Sequence, residues 1–129
     1  MKRPLFIAGI VLLLILAIWL PLVQARLDAA QILIVPNPYR PNDGNGETGK
    51  PYNPADPTSG IIFTNLAAPA TIKISDMRGK RVRNLTVLTN GNFQWNVRDD
   101  KDDPVPSGSY SVIIRTPTEK VRKKLIIIR

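Results

Sequence analysis

The amino-acid sequence predicts an all-β chain, a two-sheet sandwich of seven short strands preceded by a hydrophobic signal segment. Three observations lead there. After Ala25 no segment sustains an apolar period of 3.6 residues, so helices are not expected. Short β-branched runs separated by Gly, Pro, Asn and Asp recur along the same stretch. Within several of these runs apolar and polar residues alternate, the period of a strand with one face buried and the other wet.

The hydrophobic segment comes first. Nineteen of the first 25 residues are hydrophobic, and Lys2 and Arg3 precede an apolar run from Leu5 to Leu20. Pro21 and then Val23-Gln24-Ala25 follow, before charged Arg26. A basic start, an apolar middle and small or aliphatic residues at −3 and −1 form the layout of a secretory signal peptide. We therefore expect residues 1–25 to be a signal peptide cleaved after Ala25. An uncleaved membrane anchor is the alternative, because residues 5–23 approach the roughly 20 that a spanning helix needs. No Cys follows the run, so a lipoprotein is excluded. On either reading residues 26–129 leave the cytoplasm for the periplasm, the cell surface or the medium.

The first strand expected in the 26–129 domain is Ile32 to Val35, stopped by Pro36-Asn37-Pro38. Residues 36–58 hold six Pro and three Gly, a density that admits neither a helix nor a central strand. This is an extended surface loop. Ile61 to Thr64 and Ala70 to Ser75 follow, the latter with Ile72 and Ile74 alternating with Thr71, Lys73 and Ser75. Asp76 to Lys80 reads as a tight turn in which Gly79 supplies a positive φ. A fourth strand runs from Arg81 to Leu88 with Val82 as its first inward residue, and Thr89-Asn90-Gly91-Asn92 signals a hairpin. Phe93, Trp95 and Val97 then alternate with polar residues, and Trp95 is the expected centre of the core. Gly108 restarts a strand in which Tyr110, Val112 and Ile114 share a face. Thr116 to Glu119 turns it into a last strand, Lys120 to Ile128, that closes an antiparallel hairpin. Seven such strands fit a sandwich of about 100 residues.

The sequence has 129 residues, 18 Lys plus Arg, 10 Asp plus Glu, no Cys and no His. Without imidazole or thiol there is no Ser-His-Asp or Cys-His nucleophile pair, no zinc finger and no redox dithiol. Asp99, Asp100, Asp102 and Asp103 place four carboxylates in five positions, which raises calcium. The EF-hand spacing fails, however, because its sixth and twelfth positions are Pro104 and Tyr110. A solvated turn whose Asp side chains bond local amides is the favoured reading. Adjacent carboxylates also lack the opposed placement across a cleft that glycoside hydrolysis requires. No enzyme activity, cofactor or metal is expected.

Cations cluster at Arg78, Lys80, Arg81 and Arg83, and again at Lys120, Arg122, Lys123, Lys124 and Arg129. The signal segment and the absence of interleaved aromatics argue against nucleic acid. Basic residues on an exposed strand ordinarily discourage sheet-to-sheet aggregation. Contact with acidic glycan or lipopolysaccharide is the functional alternative. The last strand holds a conflict. With Val121, Leu125 and Ile127 facing the core, Lys123 also points inward and Ile126 and Ile128 lie on the outer face. A bulge near Lys123 would relieve part of this. The surplus apolar surface calls either for cover by the 36–58 loop or the first strand, or for contact with a partner, in which case Lys123 to Arg129 is a docking signal.

Several segments in order also resemble a family. They are Val35-Pro36-Asn37-Pro38-Tyr39-Arg40-Pro41, Ile62 to Leu66, Ala70 to Ile74, the Asp76 to Val82 turn around Gly79, and Trp95. Pro104 to Tyr110, including Gly108, and Lys123-Lys124-Leu125-Ile126-Ile127-Ile128-Arg129 complete the set. The pattern, over residues 31–129, resembles the immunoglobulin-like domain also found in the flagellar hook-assembly protein FlgD. It is similar, too, to the C-terminal sorting domains of proteins exported by type IX secretion. The resemblance implies an immunoglobulin- or fibronectin-III-like sandwich without catalytic activity, normally carried by a larger secreted protein and read by the outer-membrane translocon. The expected role is protein sorting or protein-protein interaction at the cell envelope, with secretion machinery or an envelope protein as partner. A structural scaffold subunit like the hook-assembly domain is the alternative. Two departures stand out. About six residues separate Ala25 from the first strand, so we expect a domain without attached cargo. The family's Gly positions around the acidic loop are Val97 and Asp102 here, which leaves the loop's backbone open to differ.

Overall fold

A computed structural model describes residues 31–129, and the expected signal peptide or anchor lies outside the described residues. Among those described, no helix is long and apolar enough to cross a membrane. The strands are β1 (Ile34–Val35), β2 (Ile61–Leu66), β3 (Ala70–Asp76), β4 (Arg81–Val87), β5 (Gly91–Trp95), β6 (Gly108–Arg115) and β7 (Lys120–Ile127). They form a three-stranded sheet, β1-β2-β5, and a four-stranded sheet, β4-β3-β6-β7, with every neighbouring pair antiparallel. This is the two-sheet sandwich that the strand count and spacing predict, of the immunoglobulin- or fibronectin-III-like kind that the resemblance implies.

The core forms where the alternating residues of both sheets meet. Ile61, Phe63 and Trp95 from one sheet and Ile72, Ile74, Val112, Ile114, Leu125 and Ile127 from the other are at most 1% exposed. Trp95 is the largest of them, its ring 6.5 Å from that of Phe63 and tilted by 40°. Burying side chains of this size contributes roughly 1.5–3 kcal/mol each, the main stabilising term in a domain without cysteines.

One local reading needs correction. Asn90-Gly91 does not close a hairpin, because β4 and β5 belong to different sheets and the segment between them arches across the sandwich. The β2-to-β3 connection arches beside it, tied to it by Asn90 Oδ1 accepting from Ala68 N–H (2.8 Å), while at the adjoining ends of β2 and β5 Asn92 Oδ1 accepts from Asn65 N–H (3.3 Å). In β4 strict alternation from Val82 would point Asn84 and Thr86 inward. The register instead slips between Ile74 and Ser75, opposing Arg83 and Arg81 respectively. That bulge lets Val82 pack on the core while Leu85 and Val87 are buried three and five residues later. The register of β7 is unbroken, with no bulge at Lys123.

The 36–58 segment is a folded loop. Tyr39, 1% exposed, donates its hydroxyl to Lys50 C=O (2.8 Å), and Arg40 N–H donates to Thr48 C=O (2.7 Å). Ser59 is buried, and Gln94 Nε2 donates to the carbonyls of Asp56 and Ser59, both at 2.8 Å, fastening the loop to β5. Gly60 ends the loop at φ +68, and a Cβ there would lie 2.5 Å from Trp95 C=O.

Candidate functional site

β7 is an edge strand, so one side of it has no strand partner. Its side chains split by parity. Leu125 and Ile127 are fully buried and Val121 and Lys123 half-buried on the core side, whereas Lys120, Arg122, Lys124, Ile126 and Ile128 lie on the outer face. The Pro36-Asn37-Pro38-Tyr39 segment lies along the C-terminal half of the free edge. Asn37 Nδ2 donates to Lys124 C=O (2.7 Å) and its Oδ1 accepts from Ile126 N–H (3.1 Å), so one amide group acts as a strand would. Tyr39 N–H donates to Ile126 C=O (2.8 Å), and Ile128 N–H donates to Tyr39 C=O (2.9 Å). Pro36 and Pro38 have no N–H to leave unpaired on either side of Asn37.

The terminal residue is fastened as well. Arg129 N–H donates to Ser107 Oγ (2.8 Å), its Nε to Val105 C=O (2.6 Å) and its Nη2 to Val97 C=O (3.4 Å). Lys123 to Arg129 is thus presented as a rigid strand. Sequence reasoning did not find Ser107, Val105 and Val97 as its partners, since the clasp spans 22 to 32 residues of chain.

The acidic loop spends its groups locally. Asp99 Oδ1 accepts from Lys101 N–H (2.9 Å) and Asp103 N–H (3.0 Å), and Asp100 Oδ2 pairs with Arg81 Nε at 2.8 Å. Arg83 Nη1 donates to Asp99 C=O and Arg98 Nη1 to Asp102 C=O, each at 2.7 Å. Asp103 contributes its C=O to Asp99 N–H at 2.9 Å. Among the described residues no group of three or more Asp, Glu, His or Cys side chains is arranged to hold a metal ion. Val97 and Asp102, where the resembling family has Gly, take φ of +59° and +65°. The loop therefore keeps the left-handed backbone that Gly favours, with side chains that resist it.

The remaining motif residues are structural in their contacts. Gly79 takes φ +84° in a turn where Asp76 Oδ1 accepts from Arg78 and Lys80 N–H, both at 2.9 Å. Gly108 opens β6, and a Cβ there would lie 3.6 Å from the Tyr110 ring. The Tyr110 hydroxyl donates to Pro106 C=O at 2.6 Å, a hydroxyl-to-upstream-backbone bond of the tyrosine-corner kind. Burial raises the pKa of Tyr39 and Tyr110 above the usual phenol value, and the Asp76 charge adds to the rise at Tyr110, while Arg129 opposes it at both.

The outer face of the four-stranded sheet is one-signed. Lys73, Arg115, Lys120, Arg122 and Lys124 share it with Thr71, Thr86, Asn84, Ser75, Ser111 and Ile113, and no carboxylate lies among these rows.

No curated protein matches the chain. A solved structure does: that of PorZ, described as an essential bacterial surface component of the type-IX secretion system of Porphyromonas gingivalis. The TM-score is 0.56 at 24% identity, over 79% of this chain and 12% of that one, which shows a shared fold. The family model for the secretion system C-terminal sorting domain matches residues 53–128, taking in β2 to β7, the acidic loop and all but the last residue of the C-terminal strand region. The chain belongs to the secretion system C-terminal sorting domain family.

Proposed function

We propose that the chain is an exported, non-catalytic module for protein sorting or protein-protein interaction at the cell envelope, read by type IX secretion machinery or an envelope protein through its folded C-terminal edge. One observation carries this reading: Lys124, Ile126 and Ile128 are held on the outer face by the Asn37–Tyr39 cap and the Arg129 clasp. A docking partner meets a preformed surface and does not have to order a loose tail, which spares binding the cost of freezing it.

Deleting Leu125 to Arg129 is a poor test, because it also removes two fully buried core residues, Leu125 and Ile127. Ile128→Asp is cleaner, since Ile128 is 41% exposed and keeps its backbone bond to Tyr39. We expect this variant to retain its circular dichroism spectrum and to lose export in cell fractionation. Export at the parent level would overturn the reading. The mass of the exported chain checks cleavage after Ala25.

The carboxylate-free outer face favours a second reading, contact with an acidic glycan or lipopolysaccharide. Retention on a lipopolysaccharide column that falls with salt and is lost in Lys73→Glu supports it. The scaffold alternative rests on the motifs resembling the flagellar hook-assembly domain, and requires the chain to purify as a stoichiometric oligomer.

A further inference from the structure

The free edge of β7 is divided in two. Its C-terminal half is closed by Asn37 and Tyr39. Because Ile126 turns both its N–H and its C=O away from β6, and the register is continuous, Lys120, Arg122 and Lys124 turn theirs the same way. Among the described residues nothing bonds to the N–H or C=O of Arg122 or to the N–H of Lys124. The side chains of Lys120, Arg122 and Lys124 are all exposed on the outer face.

Such an edge discriminates. A second copy of β7 laid beside it would set cations against cations, and like charges across a strand pair are destabilising. An extended acidic segment meets the reverse situation. The feature that blocks self-pairing therefore selects a partner of opposite charge, specificity obtained through a repulsive element.

We propose that the Lys120–Lys124 edge of β7 is a strand-addition site for an acidic extended segment of a protein partner. Its backbone bonds the lateral groups of Arg122 and Lys124, and carboxylates at alternate positions face Lys120, Arg122 and Lys124. Asn37 sets the upper limit of the site by occupying Lys124 C=O. The added strand has room for about five residues, roughly 14 Å at 3.4 Å per residue. On the core side it meets half-buried Val121 and Lys123, so small residues suit the positions between the acids. The proposal rests on the interaction-module reading and names the chemistry of the partner.

The probe is a fluorescein-labelled heptapeptide of alternating Asp and Thr, titrated against the full chain. A second peptide, N-methylated at each Asp, carries the same charge without the backbone donors that would pair with β7. We expect the first to bind in fluorescence anisotropy and the second to bind at least about tenfold more weakly, because it loses the donor to Arg122 C=O and sets an N-methyl group against the pairing edge. Arg122→Glu weakens the first peptide about tenfold, Lys73→Glu less than about twofold, and the Arg122 and Lys124 amides gain protection from hydrogen exchange on binding. Lys73 lies two strands in from the edge, on β3, so it senses the face and not the lateral groups. Absence of binding, equal binding of the N-methylated peptide, or equal losses in Lys73→Glu and Arg122→Glu would overturn strand addition, the last two in favour of attraction to the whole face. If the peptide fails while Ile128→Asp still blocks export, strand addition falls and the sorting role stands. If Ile128→Asp exports normally, the underlying reading falls.

Discussion

Replacing Asn37 with Ala removes both hydrogen bonds that one side chain makes to β7, at 2.7 Å and 3.1 Å, and leaves the Tyr39 backbone bonds in place. A net hydrogen bond is worth about 0.5–1.5 kcal/mol. Asn37 is exposed, so the freed C=O of Lys124 and N–H of Ile126 are recovered by water and do not incur a full burial penalty. The loss is then about 1–2 kcal/mol. For a domain of about 100 residues, 1 kcal/mol shifts Tm by roughly 4–8 °C, so the variant should melt about 4–16 °C lower. Chemical denaturation with unchanged m-value gives the free energy directly. Hydrogen exchange localises it: the Ile126 amide loses protection and the Ile128 amide, held by Tyr39, keeps most of its own. A variant within about 0.3 kcal/mol of the parent with Ile126 still protected would refute the idea that the Asn37 amide closes this edge.

Asp102→Gly should stabilise the chain by about 0.5–1 kcal/mol in the same denaturation assay, because the residue is exposed and Gly relieves its φ of +65°. Gly60→Ala combines a positive φ with a Cβ 2.5 Å from Trp95 C=O, and should cost more than about 2 kcal/mol by the same measurement. At high pH the raised pKa values of Tyr39 and Tyr110 mean that the folded state holds phenol protons the unfolded chain releases near pH 10. Their contribution is complete below about pH 10 and is lost as pH rises from there through the higher folded values. Denaturation at pH 9 and pH 11 should show the fall, and Tyr39→Phe should make it shallower.

The alternation of Phe93-Trp95-Val97 and Tyr110-Val112-Ile114 made the sandwich and its central Trp legible, since period two fixes which residues are inward whatever the neighbouring strand. Asn90-Gly91 misled because a turn motif reports local backbone freedom and not which sheet the next strand joins. Val82 was placed correctly only through a bulge that no local pattern signals. In the candidate site, the parity of Leu125 to Ile128 was legible for the same reason as the core. The cap was not, because Asn37 meets Lys124 and Ile126 across 87 and 89 residues and uses a side chain in place of a strand. Val97 and Asp102 show the opposite limit. Departure from Gly suggested a different backbone, yet the surrounding bonds, including Val105 N–H to Val97 C=O at 3.0 Å, hold the left-handed turn.

The paired arches behave like the spine of a book. Both run between the sheets at one end, and the Ala68–Asn90 bond binds them to each other. At the opposite end the Arg129 side chain reaches Val105 and Val97, and the Asn37–Tyr39 segment, continuous with β1, holds β7 from the side. The covers are therefore fastened at the spine, along one edge and at the far end, and trimming the final residue undoes only the last of these.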